Sequence, residues 1–342
     1  MNATTYAVDT AKNVMQLHWV QADTGEIGRK KLSRAKFVEF FAQRQPARVV
    51  MEACGGSHHW ARSLGALGWK VELLPAGQVR VFVRGNKDDA ADARAIWLAA
   101  QQGDIRRVPI KSCEQQAVLS LHRARAHWVC VRTATLNALR GLLYEFGVAL
   151  PQGKNSALQA LAQRRAELEV QLPAMMVRLV DEQLRALGDV QRHVEAFEAE
   201  IAQAERASPA AQRLRRIGGV GVLGSTALAA TLGDGSGWHS ARVFAASLGL
   251  APSHSGTGGK VRLGHMSKRG DPYLRTLLIN GARSIVKLAH PPEWVAQMLQ
   301  RRPFNVVVVA LAHKIARTAW ALVAYARDFD PGWVSLAPER AA

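Results

Sequence analysis

The chain has 342 residues, 48% of them hydrophobic, which is ample for a buried core and for two domains with a connector. Its formal net charge of +18 points to a polyanionic partner and sets it apart from an ordinary neutral enzyme. Only three cysteines occur, Cys54, Cys113 and Cys130, with no CxxC or Cys/His ligand spacing, which argues against a structural zinc site and suits a reducing cytoplasm.

Residues 1–13 (MNATTYAVDTAKN) lack the basic-then-apolar run of a signal peptide, so a cytoplasmic, nucleoid-associated protein is expected. Residues 5–8 form a short apolar run ending at Asp9. Residues 14–21 and 27–32 flank the turn Asp23-Thr24-Gly25 and read as a hairpin. Residues 36–43 have helical spacing, and residues 48–51 are a buried-strand run ending at Glu52. A Gly-Gly turn, a helix over residues 60–67 and a strand over 70–74 follow, closed by Pro75. The segment KDDAADARAI then opens a helix with Asp88, Asp89 and Asp92. The order β-β-β-α-β-α-β-α predicts a mixed sheet with helices on its faces.

Residues 114–146 are helical in pattern, and basic residues recur along residues 106–140: Arg106, Arg107, Lys111, Arg123, Arg125, Arg132 and Arg140 against the single carboxylate Glu114. After a break at residues 147–155, residues 156–206 read as one or two long, coiled-coil-like helices that end at Ser208-Pro209. A second globular unit begins near Leu214, contains a Gly/Ser-rich loop at residues 253–259, and closes with helices over 272–288 and 305–325. The last of these is interrupted by His313, Lys314 and Arg317, so it reads as a core helix and not a membrane span. Residues 252–290 carry Lys260, Arg262, Lys268, Arg269, Arg275, Arg283 and Lys287 with Asp271 as their only acid. The expected division is an acidic α/β domain at 1–105, a helical and partly basic connector at 106–212, and a mainly helical domain at 213–330, with a frayed tail.

Four acids stand at element ends: Asp9 and Glu52 after strands, Asp89 and Asp92 three apart on one helix face. Brought together they would repel and raise each other's pKa unless cations neutralised them, and hard oxygen ligands select Mg²⁺. Two such ions would suit phosphoryl transfer. Taken singly, the same residues also read as a turn Asp, an N-cap Asp at 88 or 89, and a solvated Glu.

The stretches AVDTAKN, MEACGG and NKDDAADAR resemble the DEDD motif of insertion-sequence transposases related to the Piv invertases. The later block RRIGGVGVLGSTALAATLGD…FAASLGLAPSHSGTGGKVRLGHMSKRGDPYLRTLLINGAR resembles their C-terminal transposase domain, so the likeness spans nearly the whole chain. It implies a ribonuclease-H-like, Holliday-junction-resolvase-like fold at the N-terminus, with Asp9, Glu52, Asp89 and Asp92 as the acidic set; Asp88 falls where many relatives have Thr. It also implies a nucleophilic serine, donor and target DNA, and a bridge RNA that pairs with both. The family's Ser-Ser-Gly-type triplet is represented here by Pro252-Ser253-His254-Ser255-Gly256-Thr257-Gly258-Gly259. Strict register from Pro252 gives Thr257; a shift gives Ser255, preferred because a primary hydroxyl is less hindered for attack on phosphorus, with His254 adjacent as a possible helper. Composition alone would make this stretch a flexible linker.

The segment IGGVGVLGSTALAA resembles a helix-hairpin-helix, and equally a plain glycine turn between packed helices. Arg123, Arg125, Arg132, Lys260, Arg262, Lys268, Arg269 and Arg275 are the candidate nucleic-acid contacts. The resulting expectation is a bridge-RNA-guided transposase acting by serine attack, as a homo-oligomer (dimer or tetramer), with no membrane partner. Two other readings stand beside it: a metal-dependent resolvase or nuclease using the acids alone, and a non-catalytic nucleic-acid-binding protein.

Overall fold

An antiparallel meander runs from β1 (Thr5–Thr10), buried on both faces, through β2 (Val14–Val20) to a largely exposed β3 (Ile27–Ser33). Two further strands, β4 (Arg48–Glu52) and β5 (Lys70–Leu74), join in parallel, β4 beside β1 and β5 beside β4. The sheet order is β3-β2-β1-β4-β5, the mixed arrangement of a ribonuclease-H-like domain. Helices α1 (Arg34–Ala42) and α2 (Ser57–Gly65) lie between the strands in sequence; a short α3 (Ala76–Val79) and a 3₁₀ turn follow β5. Helix α4 (Asp89–Ala100) ends the α/β part. This computed structural model describes residues 4–83, 88–330 and 332, and the chain divides into two compact units, Met1–Cys113 and Glu114–Ala342.

The two sheet faces bury different chemistry. One carries Tyr6, Met15, Leu17 and Met51 against Phe37, Phe40 and Phe41 of α1 and Trp60 of α2. The rings meet edge to face, as Phe41 does with Trp69 at 4.8 Å. The other face carries Ala7, Val50 and Leu74 against Ala95, Ile96 and Ala99 of α4. Alanines on both sides let α4 lie close to the strands. Arg48 and Arg107 both bond the Glu72 carboxylate, at 2.9 and 2.6 Å. Burial works against that charge, yet the two guanidiniums hold it below the usual carboxylate range. Arg107 thus joins the end of unit one together.

In the second unit α5 (Cys113–Tyr144) runs the full length of the predicted basic helix. Residues 156–206 form three helices where one or two long ones are expected: α6 (Lys154–Gln163), α7 (Arg165–Gln171) and α8 (Ala174–Ala207). Pro173 sets the last break, because the residue before a proline is driven out of the helical region and Leu172 is extended. Leu136, Leu139 and Leu143 of α5 share a core with Leu161, Leu168, Val180 and Leu187. Helices α9 (Pro209–Arg215), α10 (Val222–Leu232), α11 (Ala241–Ser247), α12 (Pro272–Val286), α13 (Glu293–Leu299) and α14 (Phe304–Ala324) build a further core. By length and composition α14 could cross a membrane, but its Val307, Leu311, Ile315 and Ala319 lie inside that core.

Gly219 holds φ at +81° in the turn before α10, and its carbonyl lies where a Cβ on Gly281 of α12 would fall, 1.9 Å away. Both positions therefore need glycine, which gives the plain glycine-turn reading a packing basis. Gly281→Ala should lower stability by about 2 kcal/mol or more, as overpacking does; a melting temperature equal to that of the unsubstituted protein would show that the turn can withdraw.

Candidate active site

Asp9 and Glu52 occupy matching ends of the parallel pair β1 and β4, just beyond the register pair Val8 and Met51. Side chains alternate along a strand, so Asp9 shares the face of Ala7, and Glu52 the face of Val50. Both of those residues pack beneath α4. Asp89 and Asp92 lie in the first turn of α4, where the helix dipole favours carboxylates. Asp88 caps the helix, accepting from the Ala90 N–H at 2.7 Å, and is exposed.

The four acids are electrostatically coupled. Burial, then Asp92, Asp89 and Glu52, push the Asp9 carboxyl up from its ordinary 3.8 to about 6. Cys54 adds a group that sequence reasoning missed: its thiol lies 3.1 Å from the Thr10 hydroxyl. Burial pushes that thiol up, and Glu52 and Asp9 add to the effect. Its position two residues after Glu52 was the available signal. The donor chemistry, all carboxylate oxygen with one acid held partly protonated, suits a hard divalent cation. Among the described residues, however, no group of three or more His, Cys, Asp or Glu side chains is arranged to hold one ion.

The stretch expected as a Gly/Ser loop is a β-hairpin, β6 (Pro252–Thr257) paired with β7 (Lys260–Met266). Gly258 and Gly259 have φ of +57° and +78°, the two positive values that a two-residue hairpin turn requires. Ser255 stands opposite Arg262, and Thr257 opposite Lys260. Directly opposed residues share a face, so both candidate hydroxyls and both cations face the same way. All of β6 is exposed. His254 pairs with Leu263 on the other face, so it is directed away from Ser255 and cannot act as its helper there. Ser253 is engaged, donating to the His265 carbonyl at 3.1 Å.

The candidate nucleic-acid contacts divide. Lys260, Arg262, Lys268, Arg269 and Arg123 are exposed. Arg125 is paired with Glu198 at 2.6 Å and Arg132 donates to Gln191 at 2.8 Å, tying α5 to α8. Arg275 turns inward to the Leu248 carbonyl at 2.9 Å. A buried His122 also escaped sequence reasoning. Its Nδ1 lies 2.9 Å from the Tyr273 hydroxyl and its Nε2 3.0 Å from that of Thr226. Burial, then Arg125, hold it down to about 4, so it is neutral and locks α5, α10 and α12 together.

Because Asp9 is raised in the folded state, that state binds more protons than the unfolded chain between about pH 4 and 6. Stability is therefore lost as pH rises through this window. Asp9→Asn should raise the melting temperature at pH 7 and flatten its dependence between pH 4 and 7. A variant that melts lower at pH 7 would show that the Asp9 charge is compensated in the fold.

A family model described as "Transposase IS116/IS110/IS902 family" matches residues 211–298, and the DEDD transposase model of IS110 elements matches residues 7–148. A probable family 20 transposase of Pseudomonas aeruginosa is 43% identical over 338 residues, covering 97% of this chain and 100% of the relative. The transposase for insertion sequence element IS1328 of Yersinia enterocolitica is 36% identical, with 96% of this chain and 99% of the relative covered. The transposase for element IS1111A of Coxiella burnetii is 35% identical, with 92% and 88% covered. With acids on the sheet at one end of the chain and a basic, hydroxyl-bearing hairpin near the other, the chain belongs to the IS110/IS116/IS902 family of insertion-sequence transposases.

Proposed function

We propose that this transposase cuts and rejoins DNA through a covalent serine–phosphate intermediate, guided by a bridge RNA that pairs with donor and target DNA. The observation that carries the reading is the hairpin face, where Ser255 and Thr257 stand opposite Arg262 and Lys260. The cations hold a backbone phosphate against the hydroxyls and oppose the negative charge that builds during attack. The Ser255 oxygen bonds to phosphorus as the P–O3′ bond breaks. The serine proton passes to solvent, and the departing 3′ oxygen takes up a proton from solvent in turn. The 5′-phosphoserine link conserves the phosphodiester for rejoining when another 3′ hydroxyl reverses the step.

Asp9, Glu52, Asp89 and Asp92 would hold Mg²⁺, which supplies Lewis-acid stabilisation of phosphoryl oxygens when bound. The residues' own part is to present oxygen ligands from two strand ends and a helix start, with Asp9 giving up its proton near pH 6. A homo-oligomer, dimer or tetramer, accompanies this reading, because exchange breaks and rejoins four strands and each chain supplies a single hairpin. The acids alone could support a hydrolytic resolvase, but a hairpin aligning two hydroxyls with two cations has no part in plain hydrolysis.

On a nicked suicide DNA substrate, Ser255→Ala should remove both the covalent adduct and recombination while DNA and RNA binding persist, and Thr257→Ala should keep some adduct. An adduct that survives Ser255→Ala and vanishes with Thr257→Ala would move the nucleophile to Thr257; no adduct from the unsubstituted protein would sink the covalent reading. Alanine at Asp9, Glu52, Asp89 or Asp92 should abolish recombination and leave RNA binding largely intact. Asp88→Ala should keep activity and lower stability by about 1 kcal/mol, the usual value of an N-cap. Sequencing RNA that co-purifies with the protein tests the guide.

A further inference from the structure

The sheet of the first unit carries a second set of cations. Asp9 pairs with Gln16, and Gln16 with Lys31; Ala7 pairs with His18, and His18 with Arg29. These two rows share one sheet face, the face that α4 covers over β1 and β4. At β2, Trp97 of α4 meets the His18 ring edge-on at 6.0 Å. Beyond it the face is open: Arg29 and Lys31 of β3 are exposed, as is Ile27, and so is Arg94, one helical turn before Trp97. His18 itself is 3% exposed, and its Nδ1 has no hydrogen-bond partner. Burial, then Arg29 and Arg94, keep this imidazole below its usual range, so both guanidiniums flank it, one from β3 and one from α4.

These cations differ from those that close on carboxylates within the chain. Arg48, Arg107, Arg125, Arg164 and Arg165 each meet a carboxylate. Among the described residues no ion pair or hydrogen bond engages the side chains of Arg29, Lys31 or Arg94. Lys30, between the first two in sequence, turns to the opposite face and lies over the Phe40 ring at 5.3 Å. Arg29 and Arg94 flanking a buried histidine, with Lys31 on the same sheet face beside Arg29, complement a polyanion. The row Asp9–Gln16–Lys31 also fixes a distance. Two strand spacings separate Lys31 from Asp9, about 10 Å. A strand held at Asp9 therefore passes these cations within its next phosphates.

We infer that Arg29, Lys31 and Arg94 clamp the backbone of the DNA strand on which the acidic cluster acts, beside the phosphate at Asp9. The inference rests on the reading of the acids as the DNA-processing site, and it names where that strand runs. The guanidiniums supply forked donors for phosphate oxygens, and Trp97 and His18 form the floor beneath them.

The test uses the full chain with a photo-crosslinking benzoylphenylalanine in place of exposed Ile27, which leaves all three cations intact. A labelled DNA duplex and an RNA duplex of matching sequence are the probes, in EDTA so that no strand is cut. Cross-linking to DNA is expected, undiminished by Asp9→Ala, so loss of recombination in that variant is read separately. The combined Arg29→Ala, Lys31→Ala and Arg94→Ala protein should bind the DNA with a salt slope shallower by about 2 to 3, close to 0.9 for each phosphate that is no longer neutralised. Lys30→Ala should leave the slope unchanged. No cross-link to DNA, a cross-link to RNA alone, or a slope lowered equally by Lys30→Ala would overturn the clamp.

Discussion

Helix α4 lies on the sheet with alanines at the close approach, Ala95 and Ala99 beside Ile96 on the helix and Ala7 beside Val50 and Leu74 on the strands. Larger side chains there would lift the helix off the strands. Its closeness brings the first turn, with Asp89 and Asp92, within electrostatic reach of Asp9, whose strand partner ends in Glu52. Like charges so placed oppose folding, and the apolar contact beneath α4 must outweigh them. The cost shows at Asp9, whose carboxyl is pushed up to about 6. A group poised near neutrality, bordered by other carboxylates, changes its charge readily when a cation arrives.

The net charge of +18 is not one uniform field. Part of it is internal cement: Arg48 and Arg107 close on Glu72, Arg125 on Glu198, Arg165 on Asp181, and Arg275 on a backbone carbonyl. Guanidiniums suit this use because their forked donors satisfy several acceptors at once. What is left over for a polyanion is more local than composition implies, and it clusters on the hairpin face and on the open edge of the sheet. Counting basic residues along a helix could not separate these classes, since the partner carboxylates come from elements far away in sequence.

The α/β part was legible because each element carries its own local signal: apolar runs of strand length, glycine turns, and acids at element ends. The element order and the mixed sheet follow from those signals, whereas the strand order and the face shared by Asp9 and Glu52 come from the structure. The hairpin was not, because Pro252–Thr257 contains serine, histidine and glycine where a strand usually shows alternating apolar residues. Its turn signal, Gly258-Gly259, is equally the signature of a loose linker. His18 and Arg29 escaped notice for another reason. Their alignment depends on strand register, which one sequence does not print, and a slip of one residue would put them on opposite faces.

An exposed two-stranded hairpin has little stability of its own, so its foot must hold it. Ser267 donates its N–H to the Ala251 carbonyl, and Lys268 to that of Gly249. Lys268 takes φ of +55°, a conformation that side chains other than glycine rarely adopt. Gly249 and Gly270 have φ of +70° and +89°, and a Cβ on either would strike backbone of the neighbouring segment. Met266 packs against the helical core just above, and Arg275 ties the Leu248 carbonyl from α12. The hydroxyls are thus aimed by the base of the hairpin and not by packing around them. This leaves Ser255 and Thr257 in the open, where a phosphate can reach either, while the strained foot keeps their common face in register with Arg262 and Lys260.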